Sequence, residues 1–360
     1  MSGIGASVEL GVIEGYYGRP WSWAMRRAQV SFLKPHGYGF YMYAPKADLL
    51  LRERWREDYP QDVAAELTGL AAHCRAEGVR FGVGLSPFEV YRDFNADARE
   101  ALARKLAFLD AVGIEDLGVL FDDMSGELPD LARTQVEIIH WIAEHSDASR
   151  VIACPTYYTD DPMMDRFSGP RPEGYLETLG AALDPAIEIF WTGEEVCSRE
   201  FSPGHLARVT EQMRRKPLLW DNYPVNDGPM MSPYLHVRAF TGRPAAIGDH
   251  IAAHAINPSL QPLLFRIPAL TLADSYRLGE GYQYRMAFDA AATAVLGPEL
   301  ARHMRGDVNA FQDLGLDALG DRAMRMRKRY TGFDHDAARE IIAWLDGDYR
   351  ITREMMIGGQ

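Results

Sequence analysis

The sequence predicts a closed (β/α)8 barrel followed by a small C-terminal helical region. Three observations lead there. Eight short apolar runs, rich in β-branched and aromatic residues, are spread from Val8 to Ile256. Amphipathic stretches of helical period fill the intervals between them. After Gly281 the strand signal disappears and only helical patterning remains. Strands that alternate with helices build parallel sheets, and eight such units close into a barrel.

The runs are Val8–Ile13, Gly39–Tyr43, Arg80–Leu85, Leu117–Phe121, Val151–Cys154, Ile187–Trp191, Pro217–Trp220 and Ile251–Ile256. Each is too short for a buried helix and the right length for a strand buried on both faces. Between the second and third runs, Val63, Leu67, Leu70, Ala71 and Cys74 form one apolar helical stripe. Leu102, Leu106 and Leu109 do the same before the fourth. Gly78 and Gly113 stand where those helices should stop. An open doubly wound sheet is the competing topology, but no GxGxxG follows the first run, which weakens its dinucleotide-binding form. Met286–Leu296, Pro298–Leu314, Asp317–Tyr330 and Asp334–Leu345 read as helices. The expected division is therefore a catalytic barrel over 1–280 and a helical region over 281–360, with the boundary between 275 and 305. Five basic residues from Arg322 to Arg329 read as a solvated helix face.

Composition narrows the function. Of 360 residues, 47% are hydrophobic and 25% charged, enough apolar material for a large core and too much for a disordered chain. The net charge of −13 argues against nucleic acid or anionic membrane as partner. No apolar run approaches the ~18 residues of a membrane span. Cys74, Cys154 and Cys197 form no CxxC pair and cannot frame a disulfide scaffold. The first seven residues, Met1 to Ser7, carry no basic or apolar signal segment, so the expected compartment is the cytoplasm.

In a (β/α)8 barrel the active site lies at the C-terminal ends of the strands. The residues after the eight runs are Glu14 to Trp21; Tyr43 to Lys46; Ser86-Pro87; Asp122-Asp123; Pro155 to Tyr158; Trp191 to Gly193; Asp221-Asn222 with Asn226-Asp227; and Asn257-Pro258. This is a ring of carboxylates, amides, aromatics and one lysine. Carboxylates and amides bind vicinal hydroxyls in pairs, and aromatic faces cover the C–H surface of a sugar. The ring contains no His; its Asp cluster could hold Mg²⁺, but nothing else in the chain suggests a phosphate site.

Asp122-Asp123 is the sharpest feature. Adjacent carboxylates at a strand end meet different surroundings, so one can hold a proton while the other stays ionised. The plain alternative is a pair capping the next helix. Lys46 reads either as a ring member or as a surface lysine paired with Asp48. Trp191 and Trp220 read as barrel core or pocket wall, Tyr158 as a loop residue or pocket wall, and Cys154 as a small buried hydrophobe.

In order along the chain stand Gly11-Val-Ile-Glu-Gly-Tyr-Tyr-Gly-Arg-Pro-Trp21, Tyr43-Ala-Pro-Lys46, Leu120-Phe-Asp-Asp-Met124, Cys154-Pro-Thr-Tyr-Tyr158, Trp191-Thr-Gly193, Trp220-Asp-Asn222, Asn226-Asp227 and Asn257-Pro258. Together they resemble glycoside hydrolase family 84, the β-N-acetylglucosaminidases, over roughly 8–275. The resemblance implies substrate-assisted hydrolysis of terminal β-linked GlcNAc with retention through an oxazoline, an exception to the two-carboxylate scheme. Asp122 would polarise the acetamido N–H, and Asp123 would serve as general acid and base. Gly15 by its backbone, Lys46, Asp227 and Asn257 would hold the sugar hydroxyls. Cys154, Tyr158, Thr192, Trp220 and Asn222 would form the acetamido pocket, with Tyr158 donating to the attacking oxygen. No metal or organic cofactor is implied. The implied partners are β-GlcNAc glycosides, on protein serine or threonine or on glycan fragments, and a homodimer is compatible with the family. After Asn257-Pro258 the chain reads Ser-Leu-Gln-Pro-Leu-Leu, which departs from the family's continuation and suggests a different leaving-group side. A catalytically silent GlcNAc-binding barrel and a metal-dependent barrel enzyme using the Asp cluster are the other readings.

Overall fold

Strands apolar on both faces can only be satisfied between two layers, so they pair in parallel with helices outside and side chains inside. The computed structural model describes residues 8–352. The leader reading of Met1 to Ser7 lies outside them. The eight strands are β1 (Leu10–Glu14), β2 (Tyr38–Tyr43), β3 (Arg80–Leu85), β4 (Asp116–Leu120), β5 (Arg150–Cys154), β6 (Glu188–Trp191), β7 (Leu218–Asp221) and β8 (His254–Ile256). Each pairs in parallel with its chain neighbour, and β8 returns to β1 through Leu10 opposite His254, closing the barrel.

The outer layer begins with α1 (Trp23–Leu33), α2 (Gln61–Glu77), α3 (Ala96–Val112) and α4 (Leu131–Glu144). It continues with the short α5 (Met164–Phe167), then α6 (Tyr175–Ala182), α7 (Pro203–Met213), the short α8 (Gly228–Met231) and α9 (Pro262–Leu278). On α2 the stripe Leu67, Leu70, Ala71 and Cys74 is buried, whereas Val63 is only half-buried. Burial of each Leu contributes roughly 1.5–3 kcal/mol. Gly78 at φ 68° and Gly113 at φ 85° end α2 and α3 in the left-handed conformation that glycine adopts without a Cβ penalty.

Beyond the barrel lie α10 (Tyr284–Asn309), α11 (Asp321–Tyr330) and α12 (Asp336–Leu345). The two helices expected around Pro298 run together as α10, with non-helical Gly297 at φ 74° and ψ 162° marking the break between them. These helices form a second core with Leu264, Ile267 and Leu270 of α9, in which Trp344 and Met326 are fully enclosed. The α9 N-terminus has no side-chain cap of its own. Glu340 of α12 supplies one, accepting from the Leu263 and Leu264 amides at 2.9 and 3.0 Å. A carboxylate suits the positive end of a helix, and burial pushes it up to about 7. On the basic face of α11, Arg322 and Arg329 pair with Asp307, and Arg327 pairs with Asp346. Among the described residues no helix is long and apolar enough to cross a membrane.

Candidate active site

All eleven residues singled out from the sequence line one cavity of about 460 Å³ at the C-terminal ends of the strands. Every strand but β3 contributes, from its last residues (Cys154 of β5, Trp220 of β7) or from the loop that follows it, where side chains face the mouth; Ser86-Pro87 after β3, expected in the ring, do not line the cavity. Gly15 follows β1 directly. A Cβ there would lie 2.2 Å from the Trp220 ring, so only glycine lets the backbone approach that aromatic floor. Its amide donates to Asn257 Oδ1 at 3.1 Å, and Asn257 Nδ2 donates to Asn222 Oδ1 at 3.0 Å. Asn222 in turn donates to the Val196 carbonyl at 2.8 Å. The two amides are thereby fixed in orientation across β1, β7 and β8.

Lys46 is buried, and its ammonium bonds Asp122 Oδ2 rather than Asp48. Asp48 instead accepts from the Tyr43 and Tyr59 hydroxyls at 2.8 and 2.9 Å. Nor does the aspartate pair cap a helix, because α4 begins after Asp130. The other oxygen of Asp122, Oδ1, is buried with no hydrogen-bond partner. A buried acceptor left open costs about 1–3 kcal/mol, so this one invites a donor.

Asp123 adopts φ 58°, a left-handed conformation that is strained for a residue other than glycine. That backbone turn separates its carboxylate from Asp122. Its Oδ1 accepts from the Tyr158 hydroxyl at 3.1 Å and its Oδ2 from the Tyr17 hydroxyl at 2.9 Å. Burial acts to raise its pKa, but the Lys46 and Arg52 charges and the two hydroxyls win and hold the carboxyl below the usual range. Asp123 thus leans toward its ionised form in this arrangement. Both phenols are pushed well up, first by burial and then by Asp123, so they remain donors.

Asp227 accepts from the Tyr17 amide at 2.8 Å, and burial raises it to about 6. Thr192 Oγ1 bonds the Glu195 carbonyl at 3.2 Å, and the Thr192 amide bonds the Tyr158 carbonyl at 2.9 Å. Cys154 is enclosed, and burial first, then Asp122, lifts its thiol far above the nucleophilic range. Trp191, by contrast, is barrel core, its indole donating to His205 Nε2 at 3.0 Å. The 258–264 segment does not line the cavity. It lies beneath the first loop, where Trp21 Nε1 donates to the Leu260 carbonyl at 3.2 Å, so its unusual sequence supports α1 rather than shaping the leaving-group side.

Two residues escaped the sequence reading. Tyr17 stands inside the first motif without any pattern to give it a role. Arg52 follows a 3₁₀ turn with no periodicity at all; its guanidinium donates to the Tyr17 hydroxyl at 2.7 Å and to the Asp123 carbonyl at 3.4 Å. Met163, Met164, Phe167, Met230 and Met231, also on loops and single turns, complete the mouth. Among the described residues no three His, Cys, Asp or Glu side chains converge as a metal site would need.

An open acceptor on one carboxylate, a second carboxylate beside it, and an aromatic ring with two amides in one cavity suit a glycosidase of the barrel type. The comparisons fall within that class. The model of the β-N-acetylglucosaminidase family matches residues 10–309. Protein O-GlcNAcase from Mus musculus is 29% identical over 276 residues, covering 74% of this chain and 30% of its own length. The Rattus norvegicus protein of the same name gives the same figures. The chain therefore spans about a third of the length of these curated relatives. Among solved structures, a mutant O-GlcNAc hydrolase from Thermobaculum terrenum superposes with a TM-score of 0.78 at 27% identity, covering 94% of this chain and 80% of that one. The chain belongs to the β-N-acetylglucosaminidase family of glycoside hydrolases.

Proposed function

We propose that this protein is a retaining exo-β-N-acetylglucosaminidase that removes terminal β-linked GlcNAc, using the substrate's own acetamido group as nucleophile. The observation that carries the reading is the unpartnered Oδ1 of Asp122 in the closed end of the cavity, with Lys46 neutralising the other oxygen. A carboxylate so placed accepts the acetamido N–H and stabilises the positive charge that grows on it. In this reading it is not the nucleophile: its open oxygen is taken by the acetamido N–H, and the acetamido oxygen makes the attack. The relatives named for O-GlcNAc hydrolysis support the same substrate class.

In the proposed reaction the acetamido oxygen attacks the anomeric carbon and the glycosidic C–O bond breaks. The proton on Asp123 passes to the departing oxygen. Water then attacks the oxazoline at the anomeric carbon, Asp123 takes its proton, and the acetamide is restored with the β configuration kept. Asp123 must be protonated for the first step, whereas the Lys46 and Arg52 charges, helped by the Tyr17 and Tyr158 hydroxyls, favour its ionised form when no sugar is bound. The sugar resolves this: when Tyr158 turns its hydroxyl to the acetamido oxygen, Asp123 loses one donor while the filled cavity excludes water, and both changes raise its proton affinity. Cys154, Thr192, Trp220 and Asn222 would enclose the acetyl group. Gly15, Lys46, Asp227 and Asn257 would take the ring hydroxyls. The barrel would carry this chemistry, and α10 to α12 would brace α9.

An aryl β-N-acetylglucosaminide is the test substrate. Hydrolysis with the β-anomer appearing first by proton NMR is the expected result. Binding without turnover would favour a silent sugar-binding barrel, and first release of the α-anomer would rule out the retaining mechanism.

A further inference from the structure

The mouth of the cavity is apolar in a way the sugar does not require. Met163, Phe167 and Met230 are 46%, 75% and 81% exposed, and all three line it. They are three of the nine large hydrophobic residues that stand exposed among the described residues. Isolated exposed apolar residues are ordinary, but a group at one opening marks a contact surface. Buried Met164 and half-buried Met231 back them. Every charged side chain that lines the cavity, Lys46, Asp122, Asp123 and Asp227, sits on or just beyond a strand end; the loops above contribute none.

Local bonds fix which side of the reacting centre this rim occupies. Phe167 ends α5, and the carbonyl of the next residue, Ser168, accepts from the Gly126 amide at 2.6 Å. Gly126 lies three residues beyond Asp123, so Phe167 is held against the loop that carries the general acid. Met230, which lines the same cavity, belongs to α8, which starts immediately after Asp227. Ser232 just beyond α8 is tied down by the Ile351 amide at 3.0 Å. A group bonded to the glycosidic oxygen leaves past Asp123, and so along this rim.

We infer that Met163, Phe167 and Met230 form the leaving-group subsite, and that it selects β-GlcNAc substrates presenting an apolar or aromatic group beside the glycosidic oxygen. This deepens the proposed function and rests on it. Methionine suits the task because its flexible, polarisable chain adapts to irregular apolar shapes.

The test compares methyl and cyclohexylmethyl β-GlcNAc, both primary alkyl glycosides, so that leaving-group acidity stays nearly constant. A fully buried methylene is worth a factor of about four in affinity; partial burial of the ring predicts a kcat/KM at least about tenfold higher for the cyclohexylmethyl glycoside, expressed mainly in KM. In Phe167→Ser/Met230→Ser the ratio should fall below about threefold, and Phe167→Leu/Met230→Leu should restore it. These positions are exposed, so the fold should tolerate serine, which circular dichroism verifies. A ratio near one in the native protein, or a ratio that survives the serine substitutions, overturns the subsite while leaving the proposed function standing. A native dimer that the serine variant converts to monomer in sedimentation would make the rim an interface between copies and also overturn it. Absence of hydrolysis with both glycosides and with aryl substrates defeats the proposed function itself, and the subsite with it.

Discussion

The two ends of the barrel handle charge in opposite ways. At the N-terminal end, Arg80 bonds Glu9 at 2.8 Å and Asp116 at 3.1 Å, while Arg150 bonds Glu188 at 2.5 Å and reaches Asp116 at 3.5 Å. Every one of these carboxylates has a guanidinium partner. At the C-terminal end, Asp122 keeps an oxygen without a partner, and Asp123 sits on a strained backbone. One end is arranged for a closed set of contacts. The other leaves contacts open that only a ligand completes, at a cost the paired end and the apolar core offset.

Breaking the open end should have the largest effect on turnover. Asp123→Ala should lower the rate with poorly departing alcohols by on the order of 10²–10⁴-fold, and far less with acidic phenols, which need little protonation to leave. Asp122→Asn should cost roughly 10²–10³-fold whatever the leaving group, because the lost contact is to the nucleophile. Steady-state rates across a leaving-group series check both; equal losses for Asp123→Ala, or a near-native Asp122→Asn, would remove the assigned roles.

A smaller effect concerns Asp227, which burial raises to about 6. Above that pH it is ionised and can accept from sugar hydroxyls; below it the proton returns and acceptance weakens. The profile of kcat/KM should therefore fall on the acid side through about pH 6, and Asp227→Asn should lose that limb. The sign for stability is the reverse: the folded state binds this proton more tightly than the unfolded chain, so this group's contribution is full below the ordinary carboxylate range, is lost as pH rises from there through about 6, and is level above.

Disturbing the paired end should leave turnover alone. Arg150→Met leaves Asp116 buried beside a single guanidinium and should lower stability by on the order of 3 kcal/mol, read by denaturant unfolding. An altered kcat/KM under native conditions would show that the two ends are not independent.

Much of this contrast was legible in the sequence. Strands and site residues were readable because a buried parallel strand is a continuous apolar run, and whatever polar residue ends it must face the mouth. That rule puts Lys46 and Asn257 in the ring, but it leaves Lys46 open to a surface pairing with Asp48, and only the family resemblance implies what either residue holds. Strand edges shifted by one to three residues, the most at β8, and Asp116 and Glu188 begin strands despite their charge because the Arg partners below compensate. Arg52 was not legible: its role depends on a 3₁₀ turn bringing it over Tyr17, and no period in the chain signals that. The same holds for Phe167 and Met230, set on four-residue helices too short to show amphipathic spacing. The break at Gly297 was legible in the Gly-Pro pair, although the helical hydrogen bonding runs past it.

The claim at the centre is that the substrate supplies its own nucleophile and that Asp122 only steers it. Replacing the acetyl hydrogens with one, two and three fluorines drains electron density from the attacking oxygen while the protein stays the same, and an alkyl series of matching bulk separates size from electronics. The chemical rate is predicted to fall at each added fluorine; a rate independent of fluorination would mean that a carboxylate or a water attacks instead, and would contradict the account.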